Sequence, residues 1–296
     1  MLDDKFFYKT VRRRRFNKIR SIVIKIFVDS GSSIKQSEKE KLNVEIIPLR
    51  FMFDETEYED GIQLTTEEFY KKMQENKKSF PKTSLPYLDK MQENVEKYTS
   101  QGYDVIFLSI SSKISGAYNA YKSTFKNNPK VHVVDTLNAV GGIRILVDVI
   151  LKHIDKTVDF ILKKIDEIIP RIRVLAIPST LDYLLAGGRL SKKDWLFGSI
   201  LNIKPLITIE DGKVGVYGKK IGLKSAMKYL VNEYESKVDT DYVTVPSYSY
   251  TNENLQTIIS MTDEKYKQNF TQQDDICHVI ACHWGPGAFG YVFVEK

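Results

Sequence analysis

Little in this chain suggests a staple, a membrane span or a broadly charged surface. Its 296 residues include two cysteines, two tryptophans and four histidines. Two thiols, Cys277 and Cys282, do not make a disulfide framework, so their scarcity predicts a reducing, cytoplasmic setting. No run approaches the roughly 18–20 apolar residues of a transmembrane helix. The segment Ile22–Val28 follows a basic stretch, as the apolar core of a signal peptide would. It is short, holds Lys25 and leads into Asp29 with no small-residue cleavage site, so it reads as a buried first strand.

Positive charge is scarce wherever the chain is expected to fold. Residues 1–20 hold eight basic side chains against Asp3 and Asp4, a net of +6, which is the whole formal charge of the protein. The other residues balance 36 positives with 36 negatives. A basic face of the kind that binds DNA or RNA has no net charge to draw on, so no nucleic-acid partner is expected. Residues 1–20 are therefore expected to form a peripheral or disordered basic extension.

What is present is an alternation of strand-like and helix-like segments. Ile22–Val28, Asn43–Leu49, Val105–Ile110 and Val131–Val134 read as strands. Tyr87–Gln101, Ala117–Phe125, Leu137–Ile150 and Val158–Ile169 read as helices from their apolar spacing. Strand, polar loop, helix in repetition predicts an α/β domain over residues 21–170, with a mostly parallel sheet and helices on both faces. From Pro170 the rhythm changes. Val174–Ile177, a hairpin turning at Asp211-Gly212, Gly222–Tyr234, Tyr242–Ser247, Asn252–Met261, His278–Cys282 and Tyr291–Val294 predict a second, α+β domain of mixed sheet over residues 171–296.

Ligands of open α/β sheets sit beyond the carboxyl ends of the strands. Three segments read as loops there are rich in hydroxyls: Asp29–Ser33, Lys82–Ser84 and Ser111–Ser115. Such serines commonly cap helices, but several converging on positive helix ends also make an anion site. In Gly187-Gly188-Arg189 a cation follows two glycines, which suits either a solvated helix end or a bidentate grip on an anion. Gly285-Pro286-Gly287-Ala288-Phe289-Gly290 matches the dinucleotide fingerprint in letters only. No helix, second strand and acidic residue follow it, so no nucleotide cofactor is expected. The pairs Cys277-His278 and Cys282-His283, read on a strand, point to alternating faces, so no metal site is expected. His283 stands apart, next to a glycine-rich turn. No nucleophile elbow and no Walker A loop occur.

Eight short segments, in order, carry a resemblance. They are Val28-Asp29-Ser30; Pro48-Leu49 with Tyr58-Glu59-Asp60-Gly61-Ile62; Glu67-Glu68-Phe69-Tyr70; Lys82-Thr83-Ser84-Leu85-Pro86; Ile110-Ser111-Ser112-Lys113-Ile114-Ser115-Gly116-Ala117-Tyr118; Gly187-Gly188-Arg189-Leu190-Ser191; Leu201-Asn202-Ile203-Lys204-Pro205-Leu206; and His283-Trp284-Gly285-Pro286-Gly287-Ala288. Over these the chain resembles the DegV family, which includes the FakB subunits of bacterial fatty acid kinase. The resemblance implies two α/β domains and an apolar tunnel for one long-chain fatty acid. It implies that Thr83, Ser84, Ser112 or Ser115, and His283 hold the carboxylate, and that Arg189 faces a kinase or a phosphate. It further implies no cofactor, no turnover alone, a separate ATP-binding kinase subunit as partner, a transient membrane contact and a monomer. Two departures bear on the polar rim: Val28-Asp29-Ser30-Gly31 replaces the usual Thr-Asp-Ser-Thr, and Leu85 replaces a common glutamine. The residues alone leave open a second reading, a stand-alone enzyme using Ser or His as nucleophile or base.

Overall fold

The computed structural model describes residues 23–75, 80–198 and 202–296. The basic extension, Ile22 and the end of a helical pattern that spans roughly Lys192–Leu201 in the sequence lie outside the described residues.

Thirteen strands and eleven α-helices are assigned among the described residues. In chain order the first half runs β1 (Ile24–Asp29), β2 (Val44–Ile47), β3 (Arg50–Phe53), β4 (Thr56–Glu59), α1 (Thr66–Glu75), β5 (Lys82–Ser84), α2 (Leu88–Ser100), β6 (Asp104–Ser109), α3 (Ala117–Thr124), β7 (Val131–Asp135), α4 (Gly141–Lys152) and α5 (Val158–Ile168). The second half runs β8 (Ile172–Ile177), α6 (Asp182–Ala186), α7 (Lys192–Gly198), β9 (Ile203–Glu210), β10 (Lys213–Ile221), α8 (Leu223–Lys237), β11 (Val245–Tyr248), α9 (Glu253–Met261), α10 (Glu264–Lys267), β12 (Asp274–Asp275), α11 (His278–Trp284) and β13 (Phe289–Val294).

The expected parallel sheet is there, in the order β2-β1-β6-β7. Its β1 and β6 strands are almost wholly buried runs of branched and aromatic residues, as strands covered on both sides should be. The mixed sheet is there too, in the order β10-β9-β8-β13-β11-β12. Its period-two alternation serves two cores. Leu175, Tyr291 and Phe293 pack with Leu230 and Tyr234 of α8, while Val174, Val292 and Val294 join the core shared with the parallel sheet. The turn between β9 and β10 falls at Asp211 (φ 47°) and Gly212 (φ 79°), the left-handed pair that a two-residue hairpin demands.

α4 ties the two sheets together. Nine of its residues are buried, and it packs on β8, β11 and β13 as well as on the turn after β1. Its first residue, Gly141, lies so close to the mixed sheet that a Cβ there would stand 2.7 Å from Cβ of Val245. One apolar core therefore crosses residue 170.

Three segments differ from the sequence reading. Lys82–Ser84 is not a loop of the parallel sheet; as β5 it pairs with β3 in a separate antiparallel sheet of order β4-β3-β5. Glu55–Gly61, whose polar composition suggests a turn, contains β4. His278–Cys282 is not a closing strand but lies in α11, so its side chains do not alternate between two faces. An apolar run of this length fits a strand or a buried helix equally well by pattern. What decides is Asp60, whose carboxylate accepts the backbone N–H of His278 at 3.1 Å and of Val279 at 3.4 Å. These are donors that a helix start leaves unpaired.

Candidate functional site

The three hydroxyl-rich segments part company in the structure. In the first, the serine oxygens serve the backbone: Ser30 Oγ accepts from Leu49 N, Ser32 Oγ from Ile34 N and Ser33 Oγ from Cys277 N. Asp29 holds this loop to the next by accepting from Gly31 N and Ile110 N, and its burial pushes its carboxyl up to about 7. Neither Asp29 nor these three serines line the cavity described next.

β5 and the loop after β6 supply that cavity, together with α6, α11 and the β9–β10 hairpin. It holds about 180 Å³. Leu49, Ile110, Ile114, Leu184, Ile209 and Trp284 give it an apolar wall, and Thr83, Ser115, Arg189 and His283 are among its polar residues. A second cavity of about 30 Å³ shares Ile280 and Trp284 with the first and is lined almost wholly by apolar groups, including Val140, Val174 and Val292.

Thr83 and His283, 200 positions apart, meet at 3.1 Å between Oγ1 and Nε2. Arg189 reaches from the glycine turn after α6 to donate through Nε to the carbonyl of Ile114 at 3.0 Å and through Nη1 to the carbonyl of Gly187. Among the described residues no carboxylate pairs with this guanidinium. Burial lowers its pKa, and its charge adds to burial in pushing the His283 imidazole down to about 3. His283 is therefore a neutral ring at ordinary pH. Ser115 lies beside Ile114 in the cavity wall, its Oγ accepting from Ala117 N at the start of α3.

The strand geometry separates the adjacent pair Thr83 and Ser84. In the β3–β5 register Thr83 lies opposite buried Phe51 and Ser84 opposite Arg50, so consecutive side chains leave opposite faces of the small sheet. Ser84 Oγ donates to Glu57 at 3.0 Å, and Glu57 also accepts from Arg50 Nη1 and Tyr87 Oη. Ser84 still contributes to the cavity wall. Ser112 is not among the residues of that wall; its N–H donates to Asp135 at 3.0 Å. Ser111, which the sequence did not single out, binds the hairpin tip by donating to the carbonyl of Gly212 at 2.7 Å.

Cys277 and Cys282 are free thiols, and burial pushes both well up. Among the described residues no group of three His, Cys, Asp or Glu side chains is placed to hold a metal ion, and no helix is long and apolar enough to cross a membrane. The segment carrying the fingerprint letters turns from α11 into β13, a helix-to-strand connection, whereas dinucleotide loops run from strand to helix.

A model of the DegV family matches residues 23–296. A DegV domain-containing protein of Clostridium acetobutylicum is 30% identical over 285 residues, covering 92% of this chain and 99% of its own. A fatty acid-binding protein of Thermotoga maritima is 31% identical over 278 residues, covering 90% of this chain and 96% of its own. Among solved structures, a stearic acid-binding protein of Eubacterium ventriosum superposes with a TM-score of 0.79 at 26% identity, covering 92% of this chain and 98% of that one.

Proposed function

The chain belongs to the DegV family, and from that premise we propose that it sequesters one long-chain fatty acid with its carboxylate at Thr83, Ser115, Arg189 and His283. The observation that carries this reading is the Arg189 guanidinium, a cation in a cavity wall beside two neutral donors, with an apolar wall behind it. An ionised carboxylate supplies what a half-buried guanidinium needs: charge and two acceptor oxygens. Roughly fifteen methylenes at ~0.8 kcal/mol each reward burial of the chain. The second, apolar cavity past Ile280 and Trp284 offers the direction in which the chain extends. Ser84 stays outside this set, since its hydroxyl is engaged by Glu57.

In this role the protein presents the carboxylate to a separate ATP-binding kinase, which forms the acyl phosphate that feeds phospholipid synthesis. It works in the cytoplasm as a monomer and touches a membrane surface briefly to load. The stand-alone enzyme is disfavoured by the same electrostatics. Thr83 and His283 have the spacing of a nucleophile and its base, but a base is effective when its pKa lies near the working pH, and His283 is held near 3.

Native mass spectrometry of freshly purified protein tests the reading. The expected spectrum shows the chain plus one long-chain acid, and Thr83→Ala loses most of that adduct. A protein that carries no acid and binds no added stearate would overturn it.

A further inference from the structure

Gly187 has no backbone reason to be glycine. Its φ of −74° and ψ of −7° are right-handed helical values open to any residue. Its neighbour Gly188 is the opposite case: φ is +70° and the space around it is open. What Gly187 has instead is a neighbour. A Cβ at this position would stand 2.1 Å from Nδ1 of His283 and 2.8 Å from Cε1, so the bare Cα lies flat against the edge of the imidazole.

That contact bears on where the ring carries its hydrogen. A neutral imidazole has one N–H and one bare nitrogen. Nδ1 is shielded from solvent and has no hydrogen-bond partner, while Nε2 lies 3.1 Å from Thr83 Oγ1. A hydrogen on Nδ1 would be a buried donor pressed against a methylene, the kind of orphan that folded proteins almost never keep. A hydrogen on Nε2 is satisfied by Thr83. Arg189 is the charged group facing the ring and offers Nδ1 no acceptor; the main-chain carbonyl of Tyr183 lies near by but accepts from Gly187 N at 2.9 Å, and Nδ1 makes no hydrogen bond to it.

We propose that Gly187 is a positioning residue that fixes His283 as the Nε2–H tautomer, so that Thr83 accepts from His283 and turns its own hydroxyl hydrogen toward the ligand. The hydrogens that the polar end of the cavity turns toward the ligand are then those of the Thr83 hydroxyl and the Arg189 guanidinium. Such a set favours a head group that only accepts, an ionised carboxylate, over the alcohol or amide of the same chain length, which offers the guanidinium no charge. The selectivity rests on the fatty-acid reading; the tautomer does not.

Nitrogen-15 NMR of the histidines, with His283→Asn for assignment, tests the tautomer in the wild-type protein. The expected result is a proton on Nε2 and a bare Nδ1 at pH 7. A proton on Nδ1 would overturn the proposal whatever any variant does. In Gly187→Ala the new methyl displaces the ring. Stearate binding is expected to fall roughly tenfold, the loss of one or two good hydrogen bonds, and the Nε2 signature to change. Added to His283→Asn, the same substitution is expected to do nothing further; an equal loss in that background would show that Gly187 acts on packing and not through the ring. Wild-type protein should prefer stearate to octadecanol and octadecanamide, and Gly187→Ala should narrow that preference. If the tautomer is as assigned but stearate does not bind at all, the fatty-acid reading fails and the positioning of His283 stands.

Discussion

The two ends of α11 each carry a histidine, buried at the first turn and half-buried at the last, and they are finished in opposite ways. At the first turn His278 stacks on Phe69 with ring centroids 4.5 Å apart, and its Nδ1 lies 3.5 Å from Asp60. Burial lowers its pKa and the Asp60 carboxylate opposes the shift. At the last turn His283 meets a hydroxyl and a guanidinium, and both burial and Arg189 push its pKa the same way. The protein supplies its own anion at one end. At the other it gathers a cation and donors with no carboxylate of its own among the described residues. A polar cluster that closes on itself specifies structure; one that gathers charge of a single sign specifies a ligand.

The comparison breaks most visibly at Asp60. This side chain is 2% exposed and accepts two N–H groups at the start of α11. Asp60→Ala leaves both donors and His278 without it, and should cost about 3 kcal/mol, read as a lower midpoint in urea. A loss below about 1 kcal/mol would mean that the first turn is not held as described.

Acid separates the two histidines next. His283 is held near 3, below the 6.5 of an unfolded histidine, so the unfolded chain binds the extra proton first. The stability this gives is complete above pH 6.5 and falls as the pH drops toward 3. The slope is ~1.4 kcal/mol per pH unit. In His283→Asn that slope disappears, so between pH 7 and pH 5 the wild type should lose about 2 kcal/mol more than the variant. Asp60 opposes the shift at His278, so His278→Asn should change the slope less. Equal slopes in urea titrations of the two variants would erase the contrast.

The smallest expected effect lies in the adjacent pair on β5. Thr83→Ala should weaken stearate binding by roughly tenfold, and Ser84→Ala by less than about threefold, because the Ser84 hydroxyl serves Glu57 on the opposite face. Calorimetric titration of both variants checks it. Equal losses would show that Ser84 turns its hydroxyl into the cavity.

The parallel sheet was legible in the sequence because its strands are continuous branched runs closed by polar loops, and the β9–β10 hairpin because Asp211-Gly212 announces its turn. The small sheet was hidden. β5 is three residues between prolines, and its partners on β3 lie 30 to 34 positions earlier, so nothing local distinguishes it from a loop. α11 was misread for a related reason: its N-terminal acceptor, Asp60, stands 218 positions away. Both misreadings concern the walls of the cavity, where contacts are long-range. The candidate head-group residues were legible only through resemblance. Residue chemistry alone named the hydroxyl-rich segments, but the first of these spends its oxygens on the backbone and the third reaches the wall through Ser115 and not Ser112.

The separation of Thr83 from His283 also sets a clock. A ribosome adds roughly 5–20 residues per second, so the strand that carries the hydroxyl waits some 10–40 s for the helix that carries its imidazole, 200 positions later. Until then Phe51 has no α11 against it, and Ile110 and Ile114 lack the opposite wall of the cavity they line. The nascent chain must carry that apolar face through most of its synthesis before it can close a pocket around anything.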